Sequence, residues 1–294
     1  MRASKSKMKQ VKVLLSECTF ENEPDLLRST LKAGLIARAS AIYRVSEIGV
    51  YKSGRGRRCS KLGELLRLLL DYMVVPPYLK KEVFKQKREL KHVGLLPPLQ
   101  IQPHLVSETP MRGEVRGALV AEVSGSRAVL DVGLSGPVIA DLPEGVSVRK
   151  GSIIYVRVKS SKPLRVEVLT EECSKDVGST YCGYTTRVID SLEGYLKEAR
   201  KTAYVIGTSR WGKPVWENIE VLSEKMARAE GVVLVFGEPY RGIYDIAKDL
   251  KFDIESVLDD VFNFVPEQAT KTVRVEEALP VVLQTIRLVE TWRT

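Results

Sequence analysis

Histidine is almost missing from this chain of 294 residues: His92 and His104 are the only two. Both stand close to prolines, which makes a poor metal cage and leaves a Ser-His-Asp triad little choice of base. Cysteine is also scarce. Cys18, Cys59, Cys173 and Cys182 form no CxxC pair, which excludes a zinc ribbon and a thioredoxin-type site. They are expected to be buried thiols in a reducing cytosol. No apolar run approaches the roughly 18 residues of a membrane span. The basic start MRASKSKMKQ lacks a signal-peptide core and cleavage site, so cytoplasm is the expected location. A Walker pattern is missing, and Gly54 and Gly56 in SGRGRR lack the third glycine of a dinucleotide fingerprint.

Positive charge is plentiful and unevenly placed. The formal net charge is +9, yet residues 1–100 hold 21 basic and 9 acidic side chains, while residues 171–294 hold 16 and 21. A basic N-terminal third points to a polyanionic partner, nucleic acid before membrane, since no basic amphipathic helix with an aromatic face is evident.

The apolar pattern divides the chain into three stretches. Val11–Leu15 and Ser46–Tyr51 read as strands around a helix carrying Leu26, Leu27, Leu31, Leu35, Ile36, Ala39 and Ile42 at steps of three and four. A second helix is expected over Lys61–Met73, after the basic loop KSGRGRR. Prolines punctuate the chain from Pro97 to Pro110, and short β-branched runs follow at Glu114–Val123, Arg127–Val132, Val138–Ala140, Ser152–Val158 and Leu164–Leu169. Their spacing suits a small OB-like barrel. From Tyr181 the alternation returns: helices over Asp190–Arg200, Trp216–Ala229, Tyr240–Asp249 and Arg274–Trp292, and strands at Ala203–Gly207, Val232–Phe236 and within Ser256–Phe264. The expected fold is α/β, a mostly parallel sheet with helices on both faces, split as 1–95 and 173–294 around a barrel domain at 96–172.

Three loops follow successive strands: IGTSRWG (206–212), FGEPYRGI (236–243) and FNFVPEQATKTVRVEEAL (262–279). Ligands bind beyond the carboxyl ends of parallel strands, so three unusual loops there point to one site. Gly207, Gly237 and Gly242 let backbone approach a flat ligand; Pro239 and Pro266 stiffen their loops. Thr270 or Thr272 is placed to cap the last helix.

These loops, in this order, resemble those of the SPOUT superfamily of S-adenosylmethionine-dependent RNA methyltransferases. AGLIARASAIYRVSEIGVY (33–51) resembles that superfamily's first motif. With LLPPLQIQPHL before the barrel and YCGYTTRV after it, nearly the whole chain is similar to the archaeal and eukaryotic subfamily that carries an inserted OB-like domain. The resemblance implies a C-terminal trefoil knot, S-adenosylmethionine as cofactor, and a homodimer acting on rRNA or tRNA, without metal or membrane. Cofactor contacts would come from Thr208 and Ser209, from Gly237, Glu238 and Gly242, and from Val265, Pro266, Gln268 and Thr272. Leu283, Ile286 and Trp292 suit a dimer interface or an intrachain core equally.

Arg38 matches the first motif's arginine and is the catalytic candidate. A guanidinium does not easily act as a base, so orienting the substrate or stabilising negative charge is its physically easier role. Arg44, Lys52, Arg55, Arg57 and Arg58 are candidates for RNA contact. Ribose methyltransferases of the superfamily carry a Ser-Leu-Asn pattern in the third loop. Here the stretch reads TKTVRVEEA, with Arg274 near the asparagine's place, which favours a base nitrogen over the 2′-hydroxyl as acceptor. The alternative is an RNA-binding or assembly factor that keeps this fold without turnover.

Overall fold

The computed structural model describes residues 9–169, 173 and 180–292. The chain begins with β1 (Gln10–Ser16), α1 (Leu26–Ile42), β2 (Val45–Tyr51), α2 (Arg57–Val74) and α3 (Lys80–Val83). Five strands follow: β3 (Val115–Ser124), β4 (Arg127–Asp131), β5 (Val138–Asp141), β6 (Ile153–Ser161) and β7 (Leu164–Leu169). The last part holds β8 (Thr185–Ile189), α4 (Leu192–Ala199), β9 (Ala203–Pro214), α5 (Ile219–Arg228), β10 (Gly231–Val235), α6 (Ile243–Asp249), β11 (Asp260–Asn263) and α7 (Val275–Trp292). These elements form two compact units, one from Met1–Asp71, Glu89–Pro97 and Tyr184–Thr294, the other from Tyr72–Arg88 and Pro98–Gly183.

The first unit is built on a parallel six-stranded sheet in the order β11-β9-β10-β1-β2-β8. Its central strands β1 and β10 are buried on both faces, which explains the unbroken apolar run GVVLV. Asp25 starts α1 by accepting a hydrogen bond from the Arg28 amide at 2.8 Å. α1 and α5 pack against α7 on one face of the sheet. On the other face, α4 and α6 cover Leu14, Tyr51, Val205, Val233 and Val235. Leu283 and Ile286 of α7 are fully buried and belong to the intrachain core, not to a subunit surface. The Trp292 side chain lies outside the described residues.

Four expectations need correcting. The edge strand β8 has no counterpart in the sequence reading. β9 continues to Pro214 instead of ending at Gly207. α2 begins at Arg57, so Arg57 and Arg58 lie in its first turn and not in a loop. The cysteines are paired, Cys18 with Cys59 and Cys173 with Cys182. The first pair is 41 residues apart in sequence and meets because parallel β1 and β2 set the loop after β1 beside the start of α2.

The second unit is an antiparallel sheet, β5-β4-β3-β6-β7, whose edges β5 and β7 approach each other to nearly close a barrel. Val120, Leu130, Val132, Val156 and Val168 fill it. Arg116 is buried at its side, donating to Val132 O and Ser107 O at 3.0 Å each and pairing with Glu114 at 2.6 Å.

His104 of this unit sets a pH limit. Burial, reinforced by nearby Lys80, depresses its imidazole to about 4, and Nε2 lies 2.9 Å from Val74 O, as a neutral ring that donates would place it. The unfolded chain therefore takes up the proton first. This group's contribution is complete above about pH 6.5 and falls as pH drops towards 4, by about 3 kcal/mol at the acid end. His104→Gln, which keeps an N–H donor but does not titrate, is expected to flatten that part of the pH profile in chemical denaturation. A profile identical to the wild type would refute the assignment.

Among the described residues, no helix is long and apolar enough to cross a membrane.

Candidate functional site

The carboxyl ends of the parallel strands form one rim of the first unit. From β9 the chain leaves towards α5 on one face, from β10 towards α6 on the other, and from β1 back to the first face with α1. Neighbouring strands whose chains depart to opposite faces leave a crevice between them. The loop after β10 is thus flanked by such a crevice on each side.

β9 supplies the first wall through a break in its pairing with β11. Gly207 pairs with Val261, but the next residue of β11, Phe262, pairs with Lys213, so residues 208–212 are extruded between two fixed points. Thr208 Oγ1 donates to Val235 O at 3.0 Å, and Ser209 Oγ accepts from the Trp211 amide at 3.2 Å. Gly207 faces the core and not a ligand: a Cβ there would meet Ile243 and Leu258 at 2.6 and 2.7 Å.

The second wall is the turn after β10, closed by Glu238 N donating to Arg241 O at 2.9 Å. A Cβ on Gly237 would stand 2.9 Å from Arg241 O, so this glycine is required by the turn itself. At Gly242 a Cβ would find nothing nearer than Asp245 Oδ2 at 3.7 Å, and that carboxylate accepts the Gly242 amide at 2.9 Å to start α6. Glu238 turns inward. Its carboxylate is fully buried, accepts from Ser16 Oγ at 2.7 Å, pairs with Arg241, and lies 3.7 Å from Arg55 Nη1. Tyr51, whose hydroxyl is pushed well above the usual phenol range by burial and by Glu238, donates to Phe236 O at 2.7 Å.

The third wall runs from β11 to α7. Asn263 Oδ1 accepts from the Val265 amide at 3.0 Å, Pro266 is half-buried, Gln268 Nε2 donates to Thr270 O at 2.9 Å, and Thr270 Oγ1 donates to Thr272 O at 3.1 Å. Neither threonine caps α7. Glu277 does so, accepting the Arg274 amide at 2.8 Å.

The sheet thus sets all three candidate loops side by side, while the basic residues separate by environment. Lys52 pairs with Asp190 at 2.6 Å, which holds its ammonium above the ordinary value. Arg55 is held by Glu21 at 2.6 Å as well as by Glu238. Arg57 and Arg58 are exposed in the first turn of α2, which has no acidic residue of its own. That turn presents two guanidinium groups and the positive end of a helix together. Arg38 is half-buried on α1, and Arg44, at φ 54°, ends that helix.

A buried ionic cluster escaped the sequence reading. Lys32 of α1 is 3 % exposed and reaches Asn22 Oδ1 at 2.9 Å, Glu23 at 3.2 Å and Glu276 at 3.3 Å. Arg274 completes it, 3.6 Å from Glu23 and 3.8 Å from Glu276. The cluster ties the start of α1 to the start of α7 and so fixes the far end of the third loop. Its signal was a lysine within the apolar stripe of α1, beside Ala33 and Ile36. Glu17 was missed too: it accepts from Ser53 N at 3.0 Å and Ser60 Oγ at 3.1 Å, bracketing the basic loop.

Residues 10–286 match the model of the family described as "Putative RNA methyltransferase". An uncharacterized protein of Haloarcula marismortui is 31 % identical over 288 residues, covering 95 % of this chain and 99 % of that protein. The human 28S rRNA (uridine-N(3))-methyltransferase is 27 % identical over 285 residues, covering 88 % of this chain and 72 % of its own length. The mouse protein of the same name is 26 % identical over 309 residues, covering 97 % and 78 %.

Proposed function

The chain belongs to this RNA methyltransferase family, and on that premise we propose that it transfers the methyl group of S-adenosylmethionine to a base nitrogen of ribosomal RNA in the cytoplasm, N3 of a uridine being the acceptor. The names of the animal relatives carry the choice of atom. The three walls at the switch crevice support the choice of site. In this reading the first unit is a SPOUT-type domain with a C-terminal trefoil knot. The second, Tyr72–Arg88 with Pro98–Gly183, is its OB-like insertion, wider than the 96–172 expected between 1–95 and 173–294.

The residues present fit the cofactor. The place a Cβ would take at Gly242 is open, Val265 and Pro266 offer half-buried apolar surface, and the turn at Gly237 brings bare backbone to the crevice. Thr208, Ser209, Gly237, Glu238, Gly242, Val265, Pro266, Gln268 and Thr272 would hold it; Glu238 acts from behind, through Ser16 and Arg241. When bound, the cofactor supplies an electrophilic methyl group. The protein's share is to hold the acceptor nitrogen in line and to exclude water. The N3 proton of a uracil must leave to solvent before water is excluded, and Arg38 is suited to stabilise the negative charge that the ring then carries. A guanidinium with a pKa above about 12 does not take that proton itself. A stacked base cannot reach an enclosed site, so the target nucleotide is unpaired or flipped. Arg57 and Arg58 are the foremost phosphate contacts, with Arg44, Lys52 and Arg55 behind them.

A homodimer is supported by an apolar stripe. Leu31, Leu35 and Ile42 on α1 are 43, 56 and 60 % exposed, and Val281 and Leu288 expose 41 and 49 % on the adjoining α7. Leu35→Glu is expected to convert dimer to monomer in sedimentation; a wild type that is already monomeric would remove the dimer from the reading.

The function is tested by mass spectrometry of nucleosides from rRNA of cells with and without the gene. A 3-methyluridine lost with the gene, and not restored by Arg38→Ala, is expected. An unchanged nucleoside profile with RNA binding intact would leave the non-catalytic assembly factor.

A further inference from the structure

Trp211 is 75 % exposed, the most exposed large apolar side chain among the described residues. It sits in the extruded segment 208–212, between the fixed pairs Gly207–Val261 and Lys213–Phe262. The segment is rigidly held. Asn263 Nδ2 donates to Arg210 O at 3.0 Å, Arg210 Nη1 donates to Lys271 O at 3.1 Å, and Gly212 is pressed against the Phe262 backbone, where a Cβ would stand 2.6 Å from the carbonyl carbon. The Arg210 guanidinium lies 4.6 Å from the centre of the Trp211 ring.

A large ring fixed in water gains nothing for the fold by being there. It is, however, prepared for a flat partner: the entropy of ordering the loop is already spent, and an arginine backs the ring. Two exposed lysines come with it: Lys213, two residues on and 3.6 Å from Asp260, and Lys271, whose carbonyl accepts from Arg210. Aromatic faces edged with cations are how proteins hold single-stranded nucleic acid, because every base offers a π-face and every linkage a phosphate.

We propose that Trp211, backed by Arg210, is a stacking platform for an unpaired base of the substrate RNA at the mouth of the crevice, with Lys213 and Lys271 on the adjoining phosphates. The inference rests on the RNA substrate assigned above and adds a contact at the cofactor side, away from Arg57 and Arg58. Since Ser209 and Trp211 share one extruded segment, the stacked base would lie next to the target nucleotide and help to keep it out of a helix.

The test uses the full chain carrying Trp216→Phe and Trp292→Phe, so that Trp211 is its one tryptophan and is excited selectively over the tyrosines. Short single-stranded oligouridylate is expected to quench its emission, and an RNA duplex of equal length to leave it unchanged. In the otherwise native chain, Trp211→Ala should weaken single-strand binding about tenfold, Trp211→Phe should largely restore it, and both should bind S-adenosylmethionine as the wild type does. Quenching by duplex as strongly as by single strand, or Trp211→Ala affinity within twofold of wild type, would overturn the platform. So would emission that shifts with protein concentration instead of RNA, which would give the ring to a second copy of the chain. A wild type that binds neither RNA removes the RNA reading together with the inference. One that binds with Trp211 emission unmoved removes the inference alone.

Discussion

Lys32→Ala is expected to lower the stability of the first unit by about 3 kcal/mol, read as a drop in denaturant midpoint at unchanged slope. Lys32 stands between two carboxylates, Glu23 and Glu276, that are themselves 5 and 8 % exposed. Glu276 Oε2 has no hydrogen-bond partner, so the 3.3 Å approach of Lys32 is its principal compensation. Without the ammonium, two like charges remain out of water with only Arg274, itself 53 % exposed, to balance them. An isosteric Lys32→Met should fare little better, because the loss is charge and not volume. Combining Lys32→Met with Glu23→Gln and Glu276→Gln should recover much of the stability, since no charge is then left stranded. Equal stability of the single and triple variants would show that packing, not charge, matters at this position. The cluster also anchors the third loop, so the single variant should lose cofactor affinity in parallel.

Gly237→Ala is expected to reduce S-adenosylmethionine binding by about a hundredfold or more, a loss of roughly 3 kcal/mol, and to cost stability as well by opening the turn. The methyl group would stand 2.9 Å from Arg241 O and 3.3 Å from the Gly242 Cα. Both contacts are backbone, so the turn closed by Glu238 N and Arg241 O has to open. Gly242→Ala separates the two ways a glycine can matter. Its new methyl meets nothing inside 3.7 Å, so any loss of affinity there reports the ligand's own need for space. Calorimetry on both variants checks this. Wild-type affinity in Gly237→Ala would move the cofactor away from this turn.

Much of the architecture was readable from periodicity. Val232–Phe236 reads as a fully buried strand, one residue off the observed Gly231–Val235, and the helical spacing from Leu26 to Ile42 matches α1. The five barrel strands showed through their β-branched runs and Gly or Pro breaks. What stayed hidden depended on distant partners. TTRVI is mostly exposed, and only pairing with β2 makes it the edge strand β8. The continuation of β9 past Gly207 is created by Phe262 and Asn263 pairing with Lys213 and Pro214, more than 40 residues away. The three walls could be placed because parallel strands force their carboxyl ends together. The ionic cluster could not, because Lys32 and Glu276 come from opposite ends of the chain. The basic loop read as a uniform phosphate-binding surface, yet Glu21 and Glu238 claim Arg55 while Arg57 and Arg58 stay open. Net charge records how many cations there are, not which are already engaged.

The Cys18–Cys59 bond bears on the kind of cell in which the enzyme works. Mesophiles keep cytosolic thiols reduced, and intracellular proteins of hyperthermophiles are the exception that retains disulfides. Both sulfurs are buried, and the bond links the segment after β1 to the turn bearing Arg57 and Arg58. Growth temperature and glutathione poise thereby bear on the surface proposed above to meet RNA. Protein made in a reducing mesophilic host would carry the same residues, but would hold that surface without the covalent bond, through Glu17, Arg55 and the buried face of α2.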